Sequence, residues 1–217
     1  MALVEIKGPT KTNGWFQRPL YKKIMLGFGL VLLIAATVSW VLPWLQPYTY
    51  HGTVLQASAV AQDFTLDTSA GKPMSLSDFR GKYLLIYFGY TFCPDVCPLT
   101  LSDLKTAVAT LGADAERVQV LFISVDPARD TVAQLASYLP HFNPTFLGMT
   151  GDSETILQAA TQFGIFYDSQ QSTSTAYYTV DHTSTVVVVD PEGYVRLVFP
   201  YSITGAEMAA DLRHLMQ

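Results

Sequence analysis

Hydrophobicity divides the chain into one uninterrupted apolar block and a longer stretch in which apolar runs alternate with polar ones. From Ile24 to Leu45 the sequence IMLGFGLVLLIAATVSWVLPWL carries no charged residue, and about 20 apolar residues suffice to cross the hydrocarbon core of a bilayer. The block predicts a transmembrane helix over 24–45. Further on, Asp63-Phe64-Thr65-Leu66-Asp67 alternates as a half-buried strand does, and Gly71-Lys72-Pro73 turns the chain. Tyr83 to Phe88 (YLLIYF) and Val118 to Val125 (VQVLFISV) are continuous apolar runs of strand length, the pattern of central strands covered on both faces.

Between those runs, Pro98 to Leu111 places Leu101, Leu104, Val108 and Leu111 in a stripe at three-and-four spacing, which predicts a helix. The same criterion predicts helices over Thr131–Leu139 and Ser153–Phe163, with a short strand around Phe146–Met149 between them. Ser184 to Val189 reads as a strand, Asp190-Pro191-Glu192-Gly193 as a hairpin turn, and Tyr194 to Pro200 as the returning strand. Thr204-Gly205-Ala206-Glu207 has the form of a capping box opening a last helix. Strand, helix, strand, helix, strand, then a hairpin and a final helix is the order of an α/β thioredoxin-like fold.

The domain organisation follows: residues 1–23 as an N-terminal tail, 24–45 as the membrane helix, 46–62 as a juxtamembrane tether and 63–217 as one folded domain. The tether lacks the Gly/Ser richness of a floppy linker. There is no internal repeat, and the polar stretch Asp168–Thr175 (DSQQSTST) reads as a mobile loop.

Charge orients the chain. Before the apolar block stand Lys7, Lys11, Arg18, Lys22 and Lys23 against one acid, Glu5, a bias that keeps the tail in the cytoplasm. After it no charge occurs until Asp63, and Trp40, Trp44, Tyr48 and Tyr50 suit an aromatic belt at the outer interface. Ala57-Ser58-Ala59 and Ala59-Val60-Ala61 resemble signal-peptide cleavage sites. They lie more than ten residues past a block longer than a normal signal core, so a retained anchor is expected. No cysteine closely follows the block, which disfavours a lipoprotein. Beyond the membrane, eight Lys and Arg face seventeen acids, a balance of −9 that argues against nucleic acid and against docking on anionic lipid. The compact tail, without a long transit segment, points to a single-pass protein of a bacterial inner membrane with its C-terminal domain in the periplasm.

That compartment is oxidising, and the chain holds two cysteines, Cys93 and Cys97, in Phe92-Cys93-Pro94-Asp95-Val96-Cys97-Pro98. They are either a redox pair or two-thirds of a soft-metal site; the C-x3-C spacing is wider than the C-x2-C of thioredoxin exchange chemistry. So small a loop makes a poor structural staple. Pro98 favours a helix beginning there, with the cysteine turn wrapped over its N-terminus, where unpaired N–H groups and the dipole favour both thiolates. His182, at the mouth of a strand after the polar loop, is the candidate third donor. Taken singly, a strand-edge histidine is more often a surface residue, but a soft site needs a third ligand. His51, His141 and His214 fall in the tether, in a loop and on the last helix. Two thiolates and an imidazole suit Cu(I), or Cu(II) with one further ligand; zinc tolerates the same donors but in structural sites closes with a fourth. Asp126 is either an acid near the site or, the preferred reading, a turn or capping residue before Pro127 with Arg129 and Asp130 pairing locally. Asp95 either caps the helix or modulates the charge of the site.

Three blocks make a resemblance specific: Phe88-Gly89-Tyr90-Thr91-Phe92-Cys93-Pro94-Asp95-Val96-Cys97-Pro98, Ser124-Val125-Asp126-Pro127-Ala128-Arg129-Asp130-Thr131, and Val180-Asp181-His182-Thr183. In this order they strongly resemble the SCO/SenC family, over a span from about Gly52 to the C-terminus and including the single anchor. Thr183 stands where many members have serine. The resemblance implies a thioredoxin-like domain outside the inner membrane that binds copper through Cys93, Cys97 and His182. It also implies delivery of copper to, or thiol reduction of, the binuclear copper centre in subunit II of cytochrome c oxidase. The reading is a membrane-anchored metallochaperone, with a periplasmic thiol reductant or copper donor as further partner. It is a carrier more than an enzyme, with thiol-disulfide reductase activity as a secondary role. The rivals are a thiol-disulfide oxidoreductase with Cys93 attacking and Cys97 resolving, against which stand the spacing and the lack of a proline before the Ser184 strand, and a copper or redox sensor. A peroxidase is weaker, as no thiol-plus-Arg pocket can be named.

Overall fold

The computed structural model describes residues 19–45, 47–55, 60–169 and 178–217. The basic residues before Pro19, the small-residue sites around Ala57–Ala59 and most of the polar loop lie outside the described residues. The chain divides into two compact units, Met1–Tyr48 and Thr49–Gln217.

The first unit is helix α1, Pro19–Val41, 23 residues long, followed by a 3-10 turn at Leu42–Leu45. Proline is tolerated at its first position, where no intrahelical N–H bond is lost, and the residues before Pro43 are biased out of the helix. The helix therefore starts before the apolar block and stops four residues short of its end. At about 1.5 Å per residue it is long enough, and apolar enough, to cross a membrane.

The second unit is built on an eight-stranded sheet of β1 (Thr53–Val54), β2 (Thr65–Thr68), β3 (Pro73–Ser75), β4 (Tyr83–Gly89), β5 (Val118–Ser124), β6 (Leu147–Thr150), β9 (Val186–Val189) and β10 (Val195–Phe199), in the order β1-β10-β9-β4-β5-β6-β2-β3. A separate ribbon pairs β7 (Tyr167–Ser169) with β8 (Val180–His182). Strands β4, β5 and β6 are parallel and the outer pairings antiparallel. All seven residues of β4 are buried, as its unbroken apolar run requires of a strand covered on both faces. The helices are α2 (Val96–Leu111), α3 (Val132–Tyr138), α4 (Ser153–Gln162) and α5 (Gly205–Leu215). Caps close the N-termini of the last three: Thr131 accepts from Gln134 N–H, Asp152 from Thr155 N–H, and Thr204 with Glu207 forms the capping box read in the sequence.

The segment read as tether contributes to this unit. Strand β1 pairs with β10, and the buried carboxylate of Asp211 on α5 accepts from the N–H groups of His51 (2.9 Å) and Gly52 (2.8 Å). A Cβ at Gly52 would stand 2.6 Å from the Phe199 ring, so the close approach requires glycine.

Helices α2 and α5 pack through Gly205, where a Cβ would lie 2.2 Å from the Asp103 carbonyl oxygen and 2.9 Å from Ala107 N. Gly205→Ala is expected to lower stability by about 1–3 kcal/mol through overpacking against immovable backbone. The denaturant midpoint should fall at constant m-value; an unchanged midpoint would show that α5 can shift freely.

Candidate metal centre

Strand β4 delivers the chain to the site. After Gly89 the loop runs through Thr91, Cys93 and Asp95 into α2, which begins at Val96, two residues earlier than the proline suggests. Cys97 is therefore inside the first turn and fully buried, while Cys93 is half-buried; both are free thiols. The Cys97 N–H points at Cys93 Sγ, 3.5 Å away. Gly89 makes the room: a Cβ there would stand 3.0 Å from Cys97 Sγ.

His182 arrives from the other side, at the end of the β7–β8 ribbon and not on the main-sheet strand β9 that follows. Its Nε2 lies 3.4 Å from Cys97 Sγ. Nδ1 lies 3.4 Å from the Thr183 carbonyl, which can only accept, so the proton belongs on Nδ1 and the Nε2 lone pair faces the sulfurs. Burial holds the imidazole below its ordinary pKa, against weaker opposing effects of the Thr183 carbonyl and Asp181. It is thus neutral near pH 7, as a ligand must be. The edges of Tyr87 and Tyr90 flank it, each with its ring centroid 6.0 Å away.

The three donor atoms lie within 4.8 Å of one another. Metal–sulfur and metal–nitrogen bonds of about 2.3 and 2.0 Å set three donors around one ion roughly 3.5–4 Å apart. Small side-chain adjustments bring these donors onto one ion, and their softness suits copper.

Thiol acidity departs from the sequence reading. Burial pushes the Cys97 thiol from 9.0 up to about 12, although Tyr87 and the backbone at Tyr90 pull it down. The helix N-terminus does not offset this, because the dipole is worth at most about 2 kcal/mol and each pK unit is about 1.4 kcal/mol. In the metal-free state Cys97 is a protonated thiol, and a bound cation must displace that proton.

Asp95 is exposed at the cap position of α2, but its side chain makes no capping hydrogen bond. Asp126 is not among the three converging donors and does not cap α3. Its backbone carbonyl closes the expected turn with the N–H groups of Arg129 and Asp130, while its carboxylate, 3% exposed, takes Arg129 Nε at 2.5 Å and the Tyr178 hydroxyl at 2.5 Å. The Arg129 guanidinium also donates to the Tyr178 carbonyl and stacks 3.6 Å from the Tyr178 ring centroid, with Phe92 at 4.9 Å and Tyr90 at 5.7 Å. It therefore touches the cysteine loop through Tyr90 and Phe92, and the histidine ribbon through Tyr178.

Asp130 is the supporting residue that sequence reasoning missed. Fully buried, it accepts from Thr91 N–H (2.9 Å), Thr91 Oγ (2.6 Å) and Ser124 Oγ (2.7 Å), fixing the cysteine loop to the end of β5. The clue available in sequence was an acid with Ser124 six residues before it at a strand end, a weak signal because Asp near a helix start is common.

Comparison with known proteins places this arrangement. Residues 52–217 match the family model described as SCO1/SenC. The mouse protein named "Protein SCO2 homolog, mitochondrial" is 36% identical over 162 residues, covering 73% of this chain and 64% of that protein. Its bovine counterpart is 41% identical over 142 residues, 64% of this chain and 53% of the relative. The matched region thus spans between half and two-thirds of these relatives. Among solved structures, apo Sco1 from Thermus thermophilus superposes with a TM-score of 0.71 at 42% identity, covering 77% of this chain and 98% of that one. Bradyrhizobium japonicum ScoI, solved with copper bound, gives 0.66 at 36% identity, covering 72% and 99%. The domain has the thioredoxin-like fold of these Sco proteins, and the chain belongs to the SCO1/SenC family.

Proposed function

We propose that this chain is a membrane-anchored copper metallochaperone whose cargo is held by the thiolates of Cys93 and Cys97 and the imidazole of His182. The observation that carries the reading is the convergence of these three soft donors within 4.8 Å, in a family with a solved relative that has copper bound. Two sulfurs and one nitrogen satisfy Cu(I) and leave a side for an incoming ligand; Cu(II) takes the same three with one more. The acceptor is the binuclear copper centre in subunit II of cytochrome c oxidase. Helix α1 is the anchor, in a bacterial inner membrane with the domain in the periplasm. There it raises the local concentration of the domain beside membrane-bound acceptors. The length and apolarity of α1 and the charge bias of the tail support this placement.

Redox state gates loading. Joining Cys93 and Cys97 as a disulfide removes two electrons and two protons and consumes both sulfur donors; a periplasmic dithiol reductant returns them and is itself oxidised to a disulfide. The reduced full-length chain in detergent is expected to take up one Cu(I), the oxidised chain none at the same free copper, with uptake restored on reduction. Equal uptake by both forms, measured by metal analysis after gel filtration, would sink the reading.

A further inference from the structure

Tyr87 lies on β4 with its side chain completely buried, and its hydroxyl makes no hydrogen bond. Native proteins satisfy the large majority of buried hydroxyls, so an orphan calls for a reason. Its surroundings supply one. The Tyr87 Cε1 and Cys97 Sγ atoms each lie 3.0 Å from the point a Gly89 Cβ would occupy, and the ring meets His182 edge-on. Cys97 and Thr100 both lie close to the phenol, yet no partner meets hydrogen-bond geometry to its hydroxyl. Thr100 uses its own proton on the Val96 carbonyl, 2.9 Å away, so it cannot donate to Tyr87. As a thiol, Cys97 is a weak acceptor; as a thiolate it becomes a strong, charged one.

We propose that Tyr87 is a positioning residue of the metal centre, whose hydroxyl donates a hydrogen bond to the Cys97 sulfur when that sulfur is a metal-bound thiolate. The inference rests on the copper reading above. A buried, anionic ligand atom has no water to solvate it, and the phenol is the group on hand to do so. A phenol keeps its proton near neutral pH and so remains a donor.

The test is Tyr87→Phe in the full-length chain in detergent, which deletes the hydroxyl and keeps the ring. Cu(I) retention against a chromophoric chelator should weaken at least about ten-fold, the scale of one hydrogen bond to a charged group. With Cu(II), the thiolate-to-copper charge-transfer band should move to lower energy, because the sulfur loses a donor. The copper-free variant should melt at or above the wild-type temperature, since the deleted hydroxyl makes no bond there. Unchanged affinity with an unmoved band would overturn the proposal, and so would a copper-free variant that melts lower, which would mark the role as structural. A wild-type chain that fails to take up Cu(I) would instead overturn the copper reading itself, and this inference with it.

Discussion

His182→Ala is expected to abolish tight copper retention while leaving the fold intact. Its Nε2 is the one nitrogen in the donor cluster found among the described residues. Losing an outer hydrogen-bond partner of a metal ligand costs about 10–100-fold in affinity, and losing the ligand itself should cost more. The stability effect should be small, about 1–2 kcal/mol, because the ring contributes two edge contacts, one contact to Cys97 Sγ and one long contact to the Thr183 carbonyl. Competition with a chromophoric Cu(I) chelator measures the loss, and thermal melting of the copper-free chain checks the fold. Affinity equal to wild type, with disulfide exchange retained, would favour the oxidoreductase and remove the chaperone.

Arg129→Ala should be the most destabilising change near the site that touches no donor. It leaves the Asp126 carboxylate, 3% exposed, without its cation, and breaking such a pair from one side costs about 3–5 kcal/mol. For a chain of this size the melting temperature should fall by roughly 10 °C. Copper affinity should fall too, because the same guanidinium holds Phe92 beside Cys93 and Tyr178 ahead of His182. Adding Asp126→Asn should recover part of the stability, since the stranded charge is then gone. A melting temperature within 2 °C of wild type, a margin of about 1 kcal/mol or less, would show that water replaces the guanidinium and refute the bridging role of Arg129.

The elements that sequence made legible are those whose own pattern decides them. YLLIYF and VQVLFISV are unbroken apolar runs of strand length, and the Thr204–Glu207 box states its helix start chemically. Strands β1, β7 and β8 have two or three residues each, and their existence depends on a partner's register, which no local pattern encodes. The donor set was legible because two cysteines and a suitably placed histidine are rare residues in this chain. Its environment was not. Whether Cys97 sits at the rim or beneath it depends on α2 starting two residues before Pro98, and that difference turns an expected thiolate into a thiol with a pKa near 12. Asp126 and Asp130 look alike in sequence, yet one faces an arginine and the other two hydroxyls and an amide, because the turn between them reverses the chain.

The unequal depth of the two sulfurs gives the site a direction. Cys97 is closed off from solvent, and Cys93 and His182 are half open. In the proposed carrier an incoming ligand would approach from the open side, so the bonds to Cys93 and His182 would be exchanged first and the bond to Cys97 last. Burial of Cys97 would act in the same direction: once its bond to the ion is gone the sulfur would take up a proton, and return of the ion would have to expel it. Release from such a carrier would be stepwise, with its final step the harder one to reverse.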